Sequence, residues 1–583
     1  MAEFPVNSFT PNAQDGVAVA RDAAGNFIVV WQSAGQEGDV GSDKNIYAKR
    51  YDSNGNVLSE FRANSFANGS QTDPTVAVDA AGNFVVAWVD TGRPFIIGSP
   101  AGNTTNENGI YARRFDSNGS PLGEEFLASR DTTIFPIGSS SPEQQLGQKP
   151  TIAMNASGDF VIAWDQFLSP TGANLGVFAR RFAENGVPQG DAFKVNLSAD
   201  ANDPDVAIDT VGNLIVTWTE NRPESGSNDI VAQRYNSDGI AQGGQFLVNT
   251  KVTNSQTYSA VGVDAAGNFV ITWEDFDSGI RAQRFDSSGN PLGAELGIQQ
   301  VGRNFEQQPD LAVAPNGDFV ISWNVFGGAI YARAFRADGT PKGNDFQLSN
   351  PTTAGDSRPA IALDASGNPV IAWVDAAKDG SGNGIFAQRL LSSELENFGT
   401  SGADRLVGTA VSDRFAGGAG NDTLSGGEGD DSLFGDAGND RLNGDRGNDR
   451  LEGGSGNDTL TGSSGRDTLV GGGGSDQLFG GNDRDSLAGG LGRDRLDGGS
   501  GSDILSGGGG SDRFVLRRRE GRDTIVDFQN GSDRLALAGG LRFSDLTITA
   551  SGRNTLIRAG SDQLALLQSI SVGQITSADF VSI

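Results

Sequence analysis

The sequence predicts an all-β protein: a seven-bladed β-propeller, then a parallel β-roll, then a C-terminal β cap. The first observation behind this prediction is that the seven tryptophans recur in equivalent phrases, spaced by 57, 76, 54, 55, 50 and 50 residues. The second is that residues 399–515 divide into thirteen consecutive nonapeptides without a change of phase. The third is that the chain from 516 to 583 alternates apolar and polar residues, as strands do. We therefore expect domains at 1–395, 399–515 and 516–583.

Each tryptophan of the first domain ends a phrase that reads as two antiparallel strands, such as VAVDAAGNFVVAW at 76–88. A second phrase follows, as in IYARRFD at 110–116, and a third precedes the next unit, as in EEFLAS at 124–129. Alternating apolar residues bounded by Gly-Asn and Asn-Gly turns are strand and hairpin signals. Four strands in about 50 residues are the size of a propeller blade. We expect the tryptophans to form the core between blades, and they are Trp31, Trp88, Trp164, Trp218, Trp273, Trp323 and Trp373.

The two ends of this domain predict how the ring closes. The seventh unit stops at Ile385–Leu391 without a closing F-x-V-N strand, and the chain begins with Phe4-Pro5-Val6-Asn7, which has that pattern. We expect the N-terminal strand to complete the last blade, so that no sheet edge is left open. A linear solenoid of the same units is the alternative, and it would have no use for an isolated first strand.

The connections between strands predict two different faces. The turns between strands 1 and 2 and between strands 3 and 4 are short and uniform, whereas two connections are long, at 89–109 and 129–149. Their apolar and basic residues predict a recognition patch for a partner; the alternative is that these residues pack back onto the blades. The patch residues are Arg93, Phe95, Ile96, Ile97, Arg130, Phe135 and Ile137.

The nonapeptides share the pattern G-G-x-G-x-D-x-U-x. The first position is always Gly, the sixth always Asp, and the eighth is Leu except at Phe415 and Phe514. The first six residues must form a tight turn with positive φ, which Gly tolerates; where the second Gly is missing, Asp436 and Asp445 replace it. The last three residues form a short strand whose eighth side chain points inward. A disordered Gly-rich tail is the alternative, but it would not require an apolar residue at every ninth position.

Calcium binding follows from how the repeats stack. Two repeats make one coil, so matching aspartates lie above each other, and a Ca²⁺ ion between them collects carboxylate and carbonyl oxygens. With 20 acidic and 10 basic residues in 399–515, we expect folding to depend on Ca²⁺, with about eleven sites between coils. The predicted ligands are Asp404, Asp413, Asp422, Asp431, Asp440, Asp449, Asp458, Asp467, Asp476, Asp485, Asp494, Asp503 and Asp512, with Asp527 and Asp533 in the cap.

The repeats resemble those of the RTX (repeats-in-toxin) family of secreted bacterial proteins, and within it the surface-layer and oscillin-like proteins of cyanobacterial type. The resemblance extends from residue 399 to the end: the phrase at 523–537 resembles the segment that closes RTX rolls, and ADFVSI at 578–583 resembles an uncleaved signal for type I secretion. It implies export of an unfolded chain by the type I secretion machinery and folding outside the cell in millimolar calcium. It implies nothing specific about the propeller.

Composition excludes several functions. The chain has a net charge of −30 and contains neither Cys nor His. It therefore has no disulfides, zinc fingers, H-E-x-x-H site or Ser-His-Asp triad, and its acidic balance argues against nucleic acid. No apolar run is long enough to span a bilayer, and the start, MAEFPVNSFT, lacks the features of a secretory signal peptide.

These observations predict a secreted, calcium-binding structural or adhesion protein, free or retained at the cell surface, whose propeller binds a protein or glycan partner. Self-assembly is open. A carboxylate-dependent, glycosidase-like hydrolase is the alternative, and a pore-forming toxin is disfavoured because no segment is suited to insertion. We expect binding rather than catalysis, because catalysis requires one blade to differ and only the two long loops break the blade pattern.

Overall fold

The computed structural model describes residues 3–8, 12–36, 43–96, 104–129, 144–169, 172–198, 200–222, 226–298, 306–325, 329–342, 345–349, 356–375, 383–392, 399, 402–408, 410 and 412–583. The chain divides into two compact units, 1–395 and 396–583. Strands and short 3₁₀ turns make up the regular structure, and these described ranges contain no α-helix. The all-β class is confirmed.

The first unit is a seven-bladed propeller built from four-stranded antiparallel sheets. Blades one and two comprise β2 Gln14–Arg21, β3 Phe27–Ala34, β4 Lys44–Tyr51, β5 Val57–Arg62, β6 Ser70–Val78, β7 Phe84–Ile96, β8 Thr104–Phe115 and β9 Phe126–Leu127. Blades three and four comprise β10 Gln144–Met154, β11 Phe160–Ser169, β12 Ala173–Phe182, β13 Phe193–Lys194, β14 Ala201–Ile208, β15 Leu214–Arg222, β16 Ser227–Tyr235 and β17 Ala241–Leu247. Blades five to seven comprise β18 Gln256–Val263, β19 Phe269–Asp275, β20 Gly279–Phe285, β21 Leu296–Gly297, β22 Glu306–Val313, β23 Phe319–Val325, β24 Ile330–Phe335, β25 Phe346–Gln347, β26 Asp356–Leu363, β27 Pro369–Asp375, β28 Gly384–Arg389 and β1 Phe4–Pro5.

The second strand of each blade carries the core. Most of its residues are apolar on both faces, because neighbouring blades cover the strand on both sides. In β19 every residue is buried, including Thr272, Glu274 and Asp275. All seven tryptophans lie on these strands and are at most 1% exposed. The predicted tryptophan core between blades is confirmed.

The N-terminal strand completes the seventh blade. β1 pairs antiparallel with β28, with Phe4 opposite Ala387. The Val6 amide donates to the Ile385 carbonyl oxygen, and the Ile385 amide donates to Asn7 Oδ1, both over 2.7 Å. Asn64 makes the same contact with the Ile46 amide in blade one, so residues 4–7 act as the displaced fourth strand of the ring.

A row of arginines joins consecutive blades on the face with the short turns. The arginine in the third strand of one blade donates to backbone carbonyls in the 3–4 turn of the next: Arg50 to Asn118 and Arg114 to Asn185, both over 2.7 Å, and Arg181 to Asp238 over 2.8 Å. In blade six this position is Ala334. The exception fits the architecture, because blade seven has no 3–4 turn to receive an arginine; its fourth strand is β1.

The second unit begins with a roll of two parallel sheets whose successive strands are two nonapeptides apart, with Leu424 opposite Leu442 and Leu433 opposite Leu451. One sheet contains β29 Arg405–Val407, β31 Thr423–Glu428, β33 Arg441–Arg446, β35 Thr459–Ser464, β37 Gln477–Asn482, β39 Arg495–Ser500, β41 Arg513–Leu516, β43 Arg534–Leu537 and β47 Phe580–Ser582. The other contains β30 Arg414–Ala416, β32 Ser432–Phe434, β34 Arg450–Ser455, β36 Thr468–Gly474, β38 Ser486–Gly492, β40 Ile504–Gly510, β42 Asp523–Ile525, β44 Leu546–Ser551, β45 Asn554–Ala559 and β46 Asp562–Leu567.

The eighth residues of the nonapeptides form the thin core of this roll. From Phe415 to Phe514 they are at most 3% exposed, and Ile525 and Leu567 of the following segment join the same cluster. Short 3₁₀ turns lie at Phe543–Asp545, Val572–Gln574 and Ser577–Asp579. The predicted parallel β-roll is confirmed.

Candidate metal sites in the roll

The turns of the roll have the backbone conformation that the repeat requires. The second position has positive φ, including Asp436 at 67° and Asp445 at 68°, where Asp replaces Gly. Ser463 adopts the same conformation, with φ 80°, although its sequence context did not predict this. Turns also stack closely: a Cβ on Gly456 would lie 1.7 Å from the Gly438 carbonyl oxygen, so glycine is favoured at the fourth position, although Asp483 occupies it in one repeat with φ 74°.

The sixth-position aspartates form a continuous ladder along each edge of the roll. The amide of Asp422 donates to Asp440 Oδ1 over 2.8 Å, and the amide of Asp440 donates to Asp458 Oδ1 over the same distance. Each aspartate thus satisfies a backbone donor one turn away. The parallel strands fix this spacing of 18 residues, because equivalent positions of successive turns lie side by side.

The second oxygen of these carboxylates has no donor. In eleven consecutive repeats Oδ2 is buried and accepts no hydrogen bond within the described part of the chain, although buried carboxylate oxygens are normally paired. These residues are Asp422, Asp431, Asp440, Asp449, Asp458, Asp467, Asp476, Asp485, Asp494, Asp503 and Asp512.

The first glycine of each repeat leaves space beside this oxygen. A Cβ on Gly453 would lie 2.4 Å from Asp458 Oδ2 and 2.7 Å from the Gly471 carbonyl oxygen of the next turn. A carboxylate oxygen and a carbonyl oxygen therefore converge on a space that only glycine leaves open. Such hard oxygen donors are the ligands Ca²⁺ prefers, so the residues present fit a calcium ion.

Burial and like charges act against the ionised form of these carboxylates. Burial raises the pKa of Asp449 to about 7; the amide hydrogen bond from Asp431 opposes the rise, and the negative charges of Asp467 and Asp431 add to it. Asp485 has a pKa of about 7 for the same leading reason. A bound cation would offset both effects, because its charge stabilises the carboxylate.

Side chains alone would not hold an ion in this part of the molecule. Across the ranges that the structure describes, no three or more acidic side chains are grouped closely enough to bind a metal. Backbone carbonyl oxygens must therefore complete each site. The close stacking of the glycine-rich turns agrees with this, because it brings the carbonyl oxygens of the next turn near each aspartate.

The aspartates at the two ends of the ladder differ from those in the middle. Asp404 and Asp413, in the first coil, are only half-buried. In the cap, both oxygens of Asp527 are occupied: Ser506 Oγ donates over 2.6 Å, and the amides of Gly508 and Gly507 donate over 2.9 and 3.0 Å. Of the predicted ligands, Asp527 therefore fits an ion least well.

Asp533 and Asp523 continue the ladder into the cap. Asp533 accepts from the Asp512 amide over 3.1 Å and from the Gln529 amide over 2.7 Å. Asp523 accepts from the Asp503 amide over 3.2 Å and was missed, although it begins the cap phrase. The missed signal is a spacing of 20 residues instead of 18, which interrupts the period at this point.

A second ladder at the fifth position was also missed. The Asn439 amide donates to Asn421 Oδ1 over 2.8 Å, and the Asn457 amide donates to Asn439 Oδ1 over 2.7 Å. Repeated Asn-Asp pairs in the sequence are its signal. It stabilises the turn stack beside the carboxylate ladder.

The predicted recognition patch is only partly described. Arg93, Phe95 and Ile96 lie on β7, which pairs with β8 so that Arg93 is opposite Glu107; much of the connection predicted as a loop over 89–109 is therefore an extended hairpin. Four patch residues lie outside the described residues: Ile97, Arg130, Phe135 and Ile137.

The family described as RTX calcium-binding nonapeptide repeat (4 copies) matches this chain at residues 398–433, 416–451, 443–478, 452–487 and 479–514. The roll therefore consists of RTX calcium-binding repeats, and the recognition made from the sequence is confirmed at this level. The chain combines these repeats with a seven-bladed β-propeller.

No curated protein matches the chain significantly. Similar solved structures include a protein of unknown function from Dyadobacter fermentans, with 14% identity, a TM-score of 0.40, and coverage of 55% of this chain and 94% of that one. The Hadza microbial sialidase Hz136 has 13% identity, a TM-score of 0.38, and coverage of 66% of each chain. An intramolecular trans-sialidase from Ruminococcus gnavus has 9% identity, a TM-score of 0.37, and coverage of 66% and 96%. Likeness at this level carries no conclusion about activity. Within the described ranges, no helix has the length and apolar character needed to cross a membrane.

Proposed function

We propose that the protein is a secreted, calcium-binding structural or adhesion protein that acts outside the cell or at its surface. The observation that carries the proposal is the ladder of eleven buried Oδ2 atoms without donors. Together with the calcium-binding repeats, it supports a roll that needs cations to be stable. Ca²⁺ is the cofactor, and the number of bound ions follows the number of stacked turns.

Calcium acts as the signal for folding in this proposal. Without it, stacked carboxylates repel one another and lose solvation, so the unfolded chain is favoured. Extracellular calcium modules bind with dissociation constants of about 10⁻⁴–10⁻³ M. The roll therefore stays unfolded in a calcium-poor cytosol, and it folds outside after the chain has passed through the type I secretion machinery.

The propeller supplies the binding surface. Its blades share a regular framework, and the strand ends that its variable connections join lie on one face. This face is where we expect a partner to bind. We propose a surface protein or glycan as the partner, with assembly of the surface-layer or oscillin-like kind as one form of the function.

A calcium titration of the purified chain, followed by circular dichroism and particle size, tests this function. Millimolar Ca²⁺ is expected to increase the strand signal, while Mg²⁺ at the same concentration is not, because Mg²⁺ fits poorly in a flexible carbonyl site. Growth into ordered assemblies would support a surface scaffold. An unchanged spectrum in chelator would show that the proposed folding mechanism is wrong.

Two glycines of one repeat give a matched pair of variants. A Cβ on Gly471 would lie 2.5 Å from Asp476 Oδ2 and 2.5 Å from the Gly489 carbonyl oxygen, whereas a Cβ on Gly473 meets nothing within 4 Å. Gly471→Ala is therefore expected to raise the calcium midpoint of folding several-fold, and Gly473→Ala to leave it nearly unchanged. Equal midpoints would argue against the space beside Gly471 as a calcium site.

A further inference from the structure

The first strand of the propeller blades contains a β-bulge whose backbone is strained. The residue at this bulge has positive φ: Gly16 at 60°, and five non-glycine residues between 47° and 53°, namely Asp73, Lys149, Asp203, Tyr258 and Gln308. Positive φ is uncommon outside glycine and is concentrated at functional sites. The geometry is the same in each of these blades, but the side chain differs in charge, size and chemistry.

These bulges lie around one ring. The first strands of consecutive blades contact each other from β2 to β26, and β26 contacts β2. The bulge residues therefore surround one end of the central channel, the end to which the variable connections belong. The expectation that only the two long loops break the blade pattern is thus corrected: the residue at the bulge breaks it too.

The neighbouring blade holds the bulges at Asp73, Asp203 and Gln308 in place. The residue after the tryptophan of one blade accepts a hydrogen bond from the bulge amide of the next: Gln32 Oε1 from Asp73 over 2.9 Å, and Glu274 Oε2 from Gln308 over 3.2 Å. Strained backbone that is fixed from both sides presents its side chain in a defined direction. The bulge therefore pre-organises the channel mouth.

Blades three to five carry an unusual polar cluster at this ring. Lys149 and Asp203 form an ion pair between blades three and four. Asp165 is 1% exposed; its Oδ2 accepts from the Asp203 amide over 3.3 Å, and its Oδ1 accepts no hydrogen bond from any described residue. Thr219, the residue after the next tryptophan, is 2% exposed and its hydroxyl is likewise unpartnered within the described residues.

Tyr258 belongs to the same cluster. Tyr258 is the bulge residue of β18, which contacts β14, the strand that carries Asp203. Burial lowers the pKa of Lys149, but the ion pair with Asp203 and the charge of Asp165 raise it overall. Tyr258 is 42% exposed and Phe276 is 66% exposed. Phe276 lies beside the start of β18, the strand of Tyr258, because the Phe276 amide donates to the Ser255 carbonyl oxygen over 3.2 Å. Two exposed aromatic rings therefore lie on blade five, next to the blade that carries Asp203.

We propose that Lys149, Asp203 and Tyr258, presented at the channel mouth by consecutive blades, form a binding site for a neutral sugar residue of a glycan, with Asp165 buried beneath them. A sugar offers hydroxyls that both donate and accept, which suits the adjacent ammonium of Lys149 and carboxylate of Asp203, and its C–H faces pack on aromatic rings. The carboxylates of Asp165 and Asp203 would repel an anionic ligand, and the ammonium group of Lys149 would repel a cationic one. The inference rests on the proposed role of the propeller as the binding domain and selects glycan over protein.

The test is a glycan array probed with the full chain in millimolar Ca²⁺, followed by calorimetry with the neutral oligosaccharides that bind. Tyr258→Ala and Lys149→Ala, both at exposed positions, are expected to weaken binding at least ten-fold. Ile240→Ala is the control, since Ile240 is 61% exposed on the opposite face of the propeller. Thermal melts followed by tryptophan fluorescence identify any variant that fails to fold. If only Tyr258→Ala folds, its affinity for the glycan decides whether the sugar site is correct.

Each result separates this inference from the proposed function. If calcium folds the roll and no neutral glycan binds, or binding is equal in all variants, the sugar site is wrong while the calcium mechanism stands. If calcium has no effect on folding, the proposed function fails whatever the array shows. Release of reducing sugar that is lost in Tyr258→Ala would support the sugar site and overturn the non-enzymatic function.

Discussion

Asp310 shows how single half-buried carboxyls set the pH response of the propeller. It lies on β22, where its Oδ1 accepts from the Leu311 amide over 2.8 Å and its Oδ2 from the Ile361 amide of blade seven over 2.9 Å. Burial raises its pKa to about 7; the Ile361 hydrogen bond opposes this rise and the charge of Asp205 adds to it. Asp205 itself has a pKa raised by burial to about 6. The fold therefore favours the protonated acid at these positions.

The sign of the pH effect follows directly. An unfolded aspartate has a pKa of about 3.9, so between about pH 4 and pH 7 the folded state holds a proton that the unfolded state has lost. The stability that protonated Asp310 contributes is present at low pH and is lost as pH rises through about 7. We expect a lower melting temperature of the propeller at pH 8 than at pH 5.

Tryptophan fluorescence measures this transition. Asp310→Asn is expected to reduce the difference between pH 5 and pH 8, because the titrating group is gone, although loss of one acceptor also lowers stability at both values. Asp238→Asn, in an exposed turn, is the control and should keep the full difference. The same pH difference in all three proteins would contradict this role of Asp310.

At the scale of elements, an arginine joins blades one to five and blade seven to the next blade, a contact that we call the arginine clasp. Only blade six lacks this arginine and has Ala334 in its place. The blade that follows, blade seven, is completed by β1 and has no 3–4 turn to accept the hydrogen bonds. One residue difference in a repeated phrase therefore records how the ring is closed. The arginines act on exposed carbonyls in the 3–4 turns, so each contributes a modest amount to the free energy of unfolding.

Arg181→Ala tests the clasp. The variant loses charge-assisted hydrogen bonds to the carbonyls of Ser237 and Asp238, so we expect the propeller to lose about 1 kcal/mol of stability. Arg336→Ala is the control, because exposed Arg336 makes no contact with another blade's turn among the described residues. Denaturation in urea, followed by tryptophan fluorescence, measures both. An equal loss in the two variants would mean that the clasp does not hold the blades.

Periodic features of these elements were predictable, and features set by contacts between repeats were not. The tryptophan phrases, the displaced strand at 4–7 and the aspartate ladder all follow from spacing along the chain. The positive φ angles of Lys149 and Tyr258 are against the local preference of these residue types. They could not be predicted from the sequence, because the β-bulge imposes them. The three donors of Asp527 lie in the last two repeats, and the period of the sequence does not predict that a cap residue contacts them.

At the scale of the whole molecule, two kinds of stability are joined in one chain. The propeller and the roll have different buried clusters. The roll cluster contains residues from Phe415 to Ile575, and the propeller clusters contain only residues before 396. All seven tryptophans lie in the first unit, and the sixth-position aspartates lie in the second. The optical signal of tryptophan therefore reports on the propeller alone.

Calcium removal should accordingly abolish one unfolding transition and leave the other in place. Each ion that binds only the folded roll stabilises it by about 1.4 kcal/mol when free Ca²⁺ is ten times the dissociation constant, and several ions act together. We expect an unfolding transition seen by circular dichroism, but not by tryptophan fluorescence, to be absent in chelator and to appear in millimolar Ca²⁺. Mg²⁺ at equal concentration is the control for ionic strength. A tryptophan transition that also depends strongly on Ca²⁺ would contradict independent units, because the ion would then stabilise the propeller as well.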